Sequence, residues 1–231
     1  MGDGAYREDP HQAILAGSGP LRDFEAVVSA LHDAVWEAVP LEAVPEELAL
    51  RLGWLLASVP RAATVLDIGC GAGEFSAALT KRGAQVIAVD VAAEALRRAR
   101  ERSPDLDARL WQPGEPLPVE DNAVDIVWAG EVIEHVADVA PWLSEIRRVL
   151  RPRGVLLLTT PHHGPLTMLG LALSPRRFQR HFDPRNDHLR FFSPMTLGRL
   201  LDDLGFSVAE LTPAGGRIGM RSTILARAVR G

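Results

Sequence analysis

Residues 65–73, VLDIGCGAG, constrain this chain more than any other stretch. Val65, Leu66 and Ile68 flank one acid, Asp67, and glycine then recurs at Gly69, Gly71 and Gly73. Branched apolar residues suit a buried strand, and closely spaced glycines suit a turn whose backbone approaches another group. Glu74 to Arg82, EFSAALTKR, reads as a helix closed by Gly83. Strand, glycine turn and helix start together form a cradle for a small molecule.

Downstream, the same alternation repeats. Gln85–Asp90 (QVIAVD) is a second strand ending in an acid; 91–102 is a helix, and Asp107–Trp111 a short third strand. A proline-rich turn over 112–123 leads to a fourth strand, Asp125–Ala129, a helix over 138–150 and a fifth strand, Gly154–Thr160. The strands lack polar alternation, as expected of a parallel sheet covered on both faces. A helix over 194–204 and two strands, Phe206–Leu211 and Ser222–Ala228, close the chain. The expected fold class is α/β: a doubly wound, mostly parallel seven-stranded sheet with an N-terminal helical lid.

Two regions stand outside this rhythm. Residues 1–60 read as an arm followed by packing or lid helices, one over 21–39 and one from Pro45 to about Val59. The first twenty residues are either a frayed arm or a flap carrying Tyr6, the chain's only tyrosine. Residues 161–193 form a long connection holding His162, His163, His181 and His188 and the run Arg176, Arg177, Arg180. Long connections inside compact folds are commonly functional. The arginines are either a solvated face or a grip for an acidic substrate. Residues 61–231 are thus expected to form the ligand-binding domain, with 161–193 shaping a second substrate's site.

With 231 residues and 47% hydrophobic content, the chain can bury a full core. A net charge of -5 disfavours a general nucleic-acid binder. One cysteine, Cys70, permits no intrachain disulfide, and no apolar run is long enough to span a membrane. The N-terminus is too polar for a signal peptide, so a cytoplasmic location is expected.

Ligands of open α/β sheets bind beyond the carboxyl ends of the strands. Asp90 sits there, 17 residues after Gly73, where an acid can accept hydrogen bonds from a ribose diol. A dinucleotide fingerprint would place glycine at position 74; Glu74 stands there instead, and its carboxylate would repel a pyrophosphate. A nucleoside ligand without phosphate fits better.

VLDIGCGAGEF resembles the first motif of class I S-adenosylmethionine-dependent methyltransferases, and VIAVD their second. LPVEDNAVDIVWAGEVIEHV, VLRPRGVLLLTTP and HLRFFSPMTLGRLLDDLGF resemble the later segments of small-molecule members similar to ubiquinone-biosynthesis O-methyltransferases. The resemblance implies that Gly69, Gly71 and Gly73 wrap the methionine end of S-adenosylmethionine. Asp67 would steady the loop or the amino group, Asp90 would hold the ribose, and backbone near Ala129 would take the amino group. Cys70 and Val91 complete the implied cofactor contacts. Relatives often place an acid after the third strand for the adenine; here Pro113 stands there, leaving Gln112, Gly114 or Glu115 to substitute.

E-V-I-E-H places Glu131, Glu134 and His135 on one side if they open a helical turn. The resemblance implies that these three, with His188, hold magnesium or another divalent metal. In metal-free members the same residues line the pocket, with His135 as a base. The implied activity is methyl transfer to a small-molecule acceptor at oxygen. RNA 3′-end methylation and a non-catalytic binding module are the alternatives. The sequence names neither the acceptor nor the oligomeric state.

Overall fold

The computed structural model describes residues 33–40, 43–183, 188–217 and 221–231. Seven strands form one sheet: β1 Thr64–Ile68, β2 Gln85–Asp90, β3 Asp107–Leu110, β4 Val124–Gly130, β5 Leu150–Pro161, β6 Phe206–Ala214 and β7 Thr223–Arg230. Their order is β3-β2-β1-β4-β5-β7-β6. The first five run parallel, and β7 pairs antiparallel with both β5 and β6. The expected doubly wound, mostly parallel seven-stranded sheet is therefore the observed one. Strand order reverses at β1 and β4, which is where such sheets open a crevice for ligands.

Helices α1 (Leu48–Ser58), α2 (Glu74–Lys81) and α3 (Ala93–Arg102) cover one face of the sheet. Helices α4 (Val139–Val149) and α7 (Pro194–Asp203) cover the other. Successive strand residues serve opposite faces, as a two-residue period requires. Val65 packs with Leu55, Leu79 and Leu96, whereas Leu66 packs with Trp142, Ile146 and Leu201. Asp138 caps α4 by accepting from the Ala140 N–H, and Ser193 and Thr196 form a reciprocal capping box on α7.

Three features differ from the sequence expectation. Helix α1 begins at Leu48 rather than at Pro45. Glu47 adopts a left-handed backbone with φ 51°, and its carboxylate accepts from the Gly216 N–H and Ser222 Oγ. Strand β5 starts at Leu150, four residues early, through a register shift against β4. Residues 161–193 are not a bare connection: they hold α5 (Pro165–Ala172) and α6 (Pro175–His181), each with proline in its first turn. Of the helix expected over 21–39, residues 33–38 are helical and those before 33 lie outside the described residues, as does the Tyr6 arm. Among the described residues, no helix is long and apolar enough to cross a membrane.

Candidate active site

A cavity of about 790 Å³ opens beyond the ends of β1 and β4, within the usual range for small-molecule sites. Its floor is the glycine turn. Gly69, Gly71 and Gly73 take φ of 67°, 54° and 80°, the left-handed region that side chains resist. Space is short as well: a β-carbon at Gly69 would stand 2.7 Å from Val132 Cγ2. The Gly69 and Cys70 N–H groups both donate to the Val89 carbonyl, which ties the turn to β2.

Two acids fix this floor. Asp67 is fully buried and accepts from Ser76 Oγ at 2.5 Å, which joins β1 to the first turn of α2. Burial pushes its carboxyl up to about 7, against the lowering effect of that hydrogen bond. Asp90 is 6% exposed, and its two oxygens accept from the Gly71 N–H at 2.9 Å and the Ala92 N–H at 3.0 Å. Val91 follows half-buried, Ala129 is buried at the end of β4, and Cys70 is buried with its thiol pKa raised by burial. Glu74, at the start of α2, lines the cavity and pairs with Arg102. Trp111 packs on the core, donates to the Glu115 carbonyl, and is not among the residues lining this cavity.

Arg51, not singled out by any motif, also lines this cavity. It is 4% exposed and lies 4.9 Å over the Phe75 ring. Its Nη1 donates to the Glu46 carbonyl, and its Nε, 3.9 Å from Glu131 Oε1, has no hydrogen-bond partner. Burial lowers its pKa from the ordinary arginine value. At Gly130 a β-carbon would stand 2.5 Å from Arg51 Nη2, so the missing side chain makes room for the guanidinium. A signal is present in the sequence: Arg51 lies on the face of α1 that buries Leu55, where a charge calls for a partner.

The E-V-I-E-H segment does not open a helix. Glu131 has φ 59°, and its N–H donates to the Thr159 carbonyl at the end of β5. Tight turns follow over 133–135. This geometry sends Glu131 toward Arg51 and Thr223, away from the expected four-residue set. The other three do converge: ligand atoms of Glu134, His135 and His188 all lie within 4.8 Å of one another. The imidazoles of His135 and His188 meet edge to face, 4.8 Å apart. Leu189 and Arg190 N–H groups donate to the Glu134 carbonyl, which brings His188 here from 53 residues away.

Glu134 is fully buried. Its Oε2 accepts from Thr160 Oγ1 at 3.0 Å, while Oε1 has no hydrogen-bond partner. Burial first, and the nearby Glu131 second, hold its carboxyl well above the usual range. Glu131, Glu134 and His188 line the same cavity as the glycine turn. His162 and His163 stand apart. His162 Nδ1 lies 3.3 Å from the Arg221 carbonyl, and His163 packs against His181 and Phe191. Arg176, Arg177 and Arg180 are exposed on α6.

Residues 66–158 match a methyltransferase domain family. Over 173 residues the chain is 32% identical to a ubiquinone biosynthesis O-methyltransferase of Xanthomonas oryzae pv. oryzae, covering 73% of this chain and 71% of that one. It is 39% identical over 117 residues to a malonyl-[acyl-carrier protein] O-methyltransferase of Yersinia pestis, covering 51% of this chain but only 43% of that protein. A solved SAM-dependent methyltransferase of Aquifex aeolicus superposes with a TM-score of 0.58 at 21% identity, over 80% of this chain and 94% of that one, a likeness of fold. With a glycine turn, a strand-end acid and this sheet order behind the matches, the chain belongs to the class I S-adenosylmethionine-dependent methyltransferases.

Proposed function

We propose that the enzyme transfers the methyl group of S-adenosylmethionine to an oxygen of a small-molecule acceptor. One observation carries this reading: Glu134, His135 and His188 converge, and two of them, Glu134 and His188, line the cavity whose floor is the glycine turn. In our reading Gly69, Gly71 and Gly73 receive the methionine end of the cofactor, with Cys70 and Val91 beside it. Asp90 takes the ribose hydroxyls, backbone at Ala129 the amino group, and Asp67 braces the turn through Ser76. Arg51, buried with an unpartnered Nε, is the natural partner for the cofactor's carboxylate. Two similar proteins are named O-methyltransferases, which supports oxygen as the acceptor atom.

The chemistry is an in-line displacement. A lone pair on the acceptor oxygen forms the new bond to the methyl carbon. The carbon–sulfur bond breaks, and its electron pair leaves sulfur as a neutral thioether. Because the sulfonium is already activated, the chain's contribution is chiefly position, worth several kcal/mol. In our reading His135 takes the proton of an acceptor hydroxyl, with Glu134 Oε1 4.0 Å from its Nε2.

The same trio also fits a divalent cation, since Glu134 Oε1 is buried without a partner and two imidazoles converge on it. One carboxylate and two imidazoles suit a transition ion better than magnesium. Such an ion, when bound, would lower the pKa of an acceptor hydroxyl. Glu131 is outside that set. We further read residues 1–60 as the lid and packing unit, 61–231 as the catalytic domain in the cytoplasm, and 161–193 as the wall that selects the acceptor.

The test is a transfer assay with methyl-labelled cofactor and a panel of phenols, catechols and carboxylic acids, run with and without chelator. Label in an ether or ester is expected. Label only in C-methyl products, or in N-methyl products when amines are added to the panel, overturns the oxygen assignment, and turnover unchanged by exhaustive chelation removes the metal.

A further inference from the structure

Helices α5 and α6 bury no residue at all, whereas α1 to α4 and α7 each bury two to four. The sequence of α5, PLTMLGLA, carries one polar residue, Thr167, and no charge. Its leucines face water: Leu166 is 56% exposed, Leu169 is 54% exposed and Leu173, just past its end, is 77% exposed. A helix that is apolar all round belongs in a core or in a bilayer. The core does not take α5 up, and its eight residues, about 12 Å long, are far too few to cross a membrane.

Helix α6 follows after Leu173 and Ser174 and packs against α5. It carries the run Arg176, Arg177 and Arg180, all exposed. Its Phe178 opens a row of exposed rings, with centroids 4.7 Å apart to Phe182 and a further 5.3 Å from Phe182 to Phe191. No Asp or Glu occurs between Glu145 and Asp183, in a chain whose net charge is -5. The hairpin thus joins bare leucines, an aromatic row and concentrated positive charge. Contiguous exposed apolar surface rimmed by polar groups marks an interaction site. Charge selects the occupant. A second copy docked about a two-fold axis would set these arginines against their own copies, a repulsive arrangement. A bilayer of anionic lipid suits both features: its phosphates accept paired hydrogen bonds from guanidinium, and its acyl boundary takes leucine and phenylalanine.

We infer that the α5–α6 hairpin docks the protein on an anionic membrane surface. Leu166, Leu169 and Leu173 enter the acyl boundary, and Arg176, Arg177 and Arg180 meet the lipid phosphates. Apolar insertion and electrostatic attraction together give reversible attachment at the interface, without a span. The hairpin is tied to the segment that carries His188: His163 packs on both His181 and Phe191, and the Leu189 N–H donates to the Glu134 carbonyl. Docking therefore brings that segment to the lipid. It requires no particular cofactor or acceptor.

The test is co-sedimentation of the full-length chain with vesicles of phosphatidylcholine alone, and of phosphatidylcholine and phosphatidylglycerol in equal parts. Wild type is compared with one variant combining Arg176→Glu, Arg177→Glu and Arg180→Glu, and with another combining Leu166→Ser, Leu169→Ser and Leu173→Ser. Wild type is expected to bind the anionic vesicles and to prefer them over phosphatidylcholine alone. The arginine variant binds them about 100-fold more weakly or worse, from about fivefold for each basic residue near an anionic leaflet. The leucine variant keeps every arginine, and its binding, weaker by about tenfold or more, separates insertion from charge attraction alone. Wild type left in solution by anionic vesicles, equal binding to both vesicle types, or wild-type binding by either variant overturns the proposal. Should the variants fail to fold, hydrogen exchange on the wild type decides: amides of 165–182 exchange more slowly on anionic vesicles, and equal exchange overturns the docking. A lipid-free wild-type dimer in sedimentation velocity that the leucine variant loses would assign the hairpin to a second copy and likewise overturn it.

Discussion

The proposed cofactor end of the cavity is built mainly from one continuous stretch, with Arg51 and Ala129 added from α1 and β4, whereas the proposed acceptor end is assembled from three distant ones. Thr64 to Asp90 supplies β1, the glycine turn, α2 and the strand-end acid, all joined by short-range bonds such as Gly69 N–H to Val89 carbonyl. Glu134 and His135 follow β4, Thr160 ends β5, and His188 arrives from beyond α6, held by Leu189 and Arg190 on the Glu134 carbonyl. A continuous stretch fixes its geometry through local sequence. An assembled site depends on every segment that carries it, and is free to change acceptor while the donor site stays constant.

The contrast is broken most severely at the acceptor end. His135→Ala is expected to lower turnover by about 10²- to 10⁴-fold, the range for loss of a proton-transfer group. Its affinity for S-adenosylhomocysteine by calorimetry should match wild type. A parallel loss of affinity would show that the two ends are not separable. At the cofactor end, Gly69→Val forces a branched side chain into a left-handed backbone and against Val132. A loss of about 3 kcal/mol in stability is expected by denaturant titration. Wild-type stability would contradict the described turn.

A smaller effect concerns pH. The Asp67 carboxyl is raised to about 7, so the folded protein holds this proton more tightly than the unfolded chain does. That contribution to stability is complete below pH 4 and declines as pH rises toward 7, beyond which it is gone. Asp67→Asn should remove this slope from a series of melts between pH 4 and 8. An unchanged slope would assign it to other groups.

The sequence was legible where structure is local. The glycine turn, Asp90 and the seven strands could be read from spacing because each depends on its own neighbours. The antiparallel pairing of β7 between β5 and β6 carries no such local mark. The turn at Glu131 is not legible in the sequence, because its left-handed backbone is accompanied by a bond to Thr159 on the adjacent strand. Without that bond the spacing of E-V-I-E-H suits a helix. Arg51 could have been found as a charge on an apolar stripe, but its site was not legible, since Phe75 and Gly130 lie far along the chain.

The central claim is that the strand-end acid and the glycine turn form one cofactor site. Calorimetry of wild type and Asp90→Ala with S-adenosylhomocysteine tests it most directly. The account predicts binding to the wild type and an affinity weaker by about 1–3 kcal/mol in the variant, the cost of unpaired hydroxyl groups. Equal affinity in a folded Asp90→Ala, or no binding by the wild type, would contradict it.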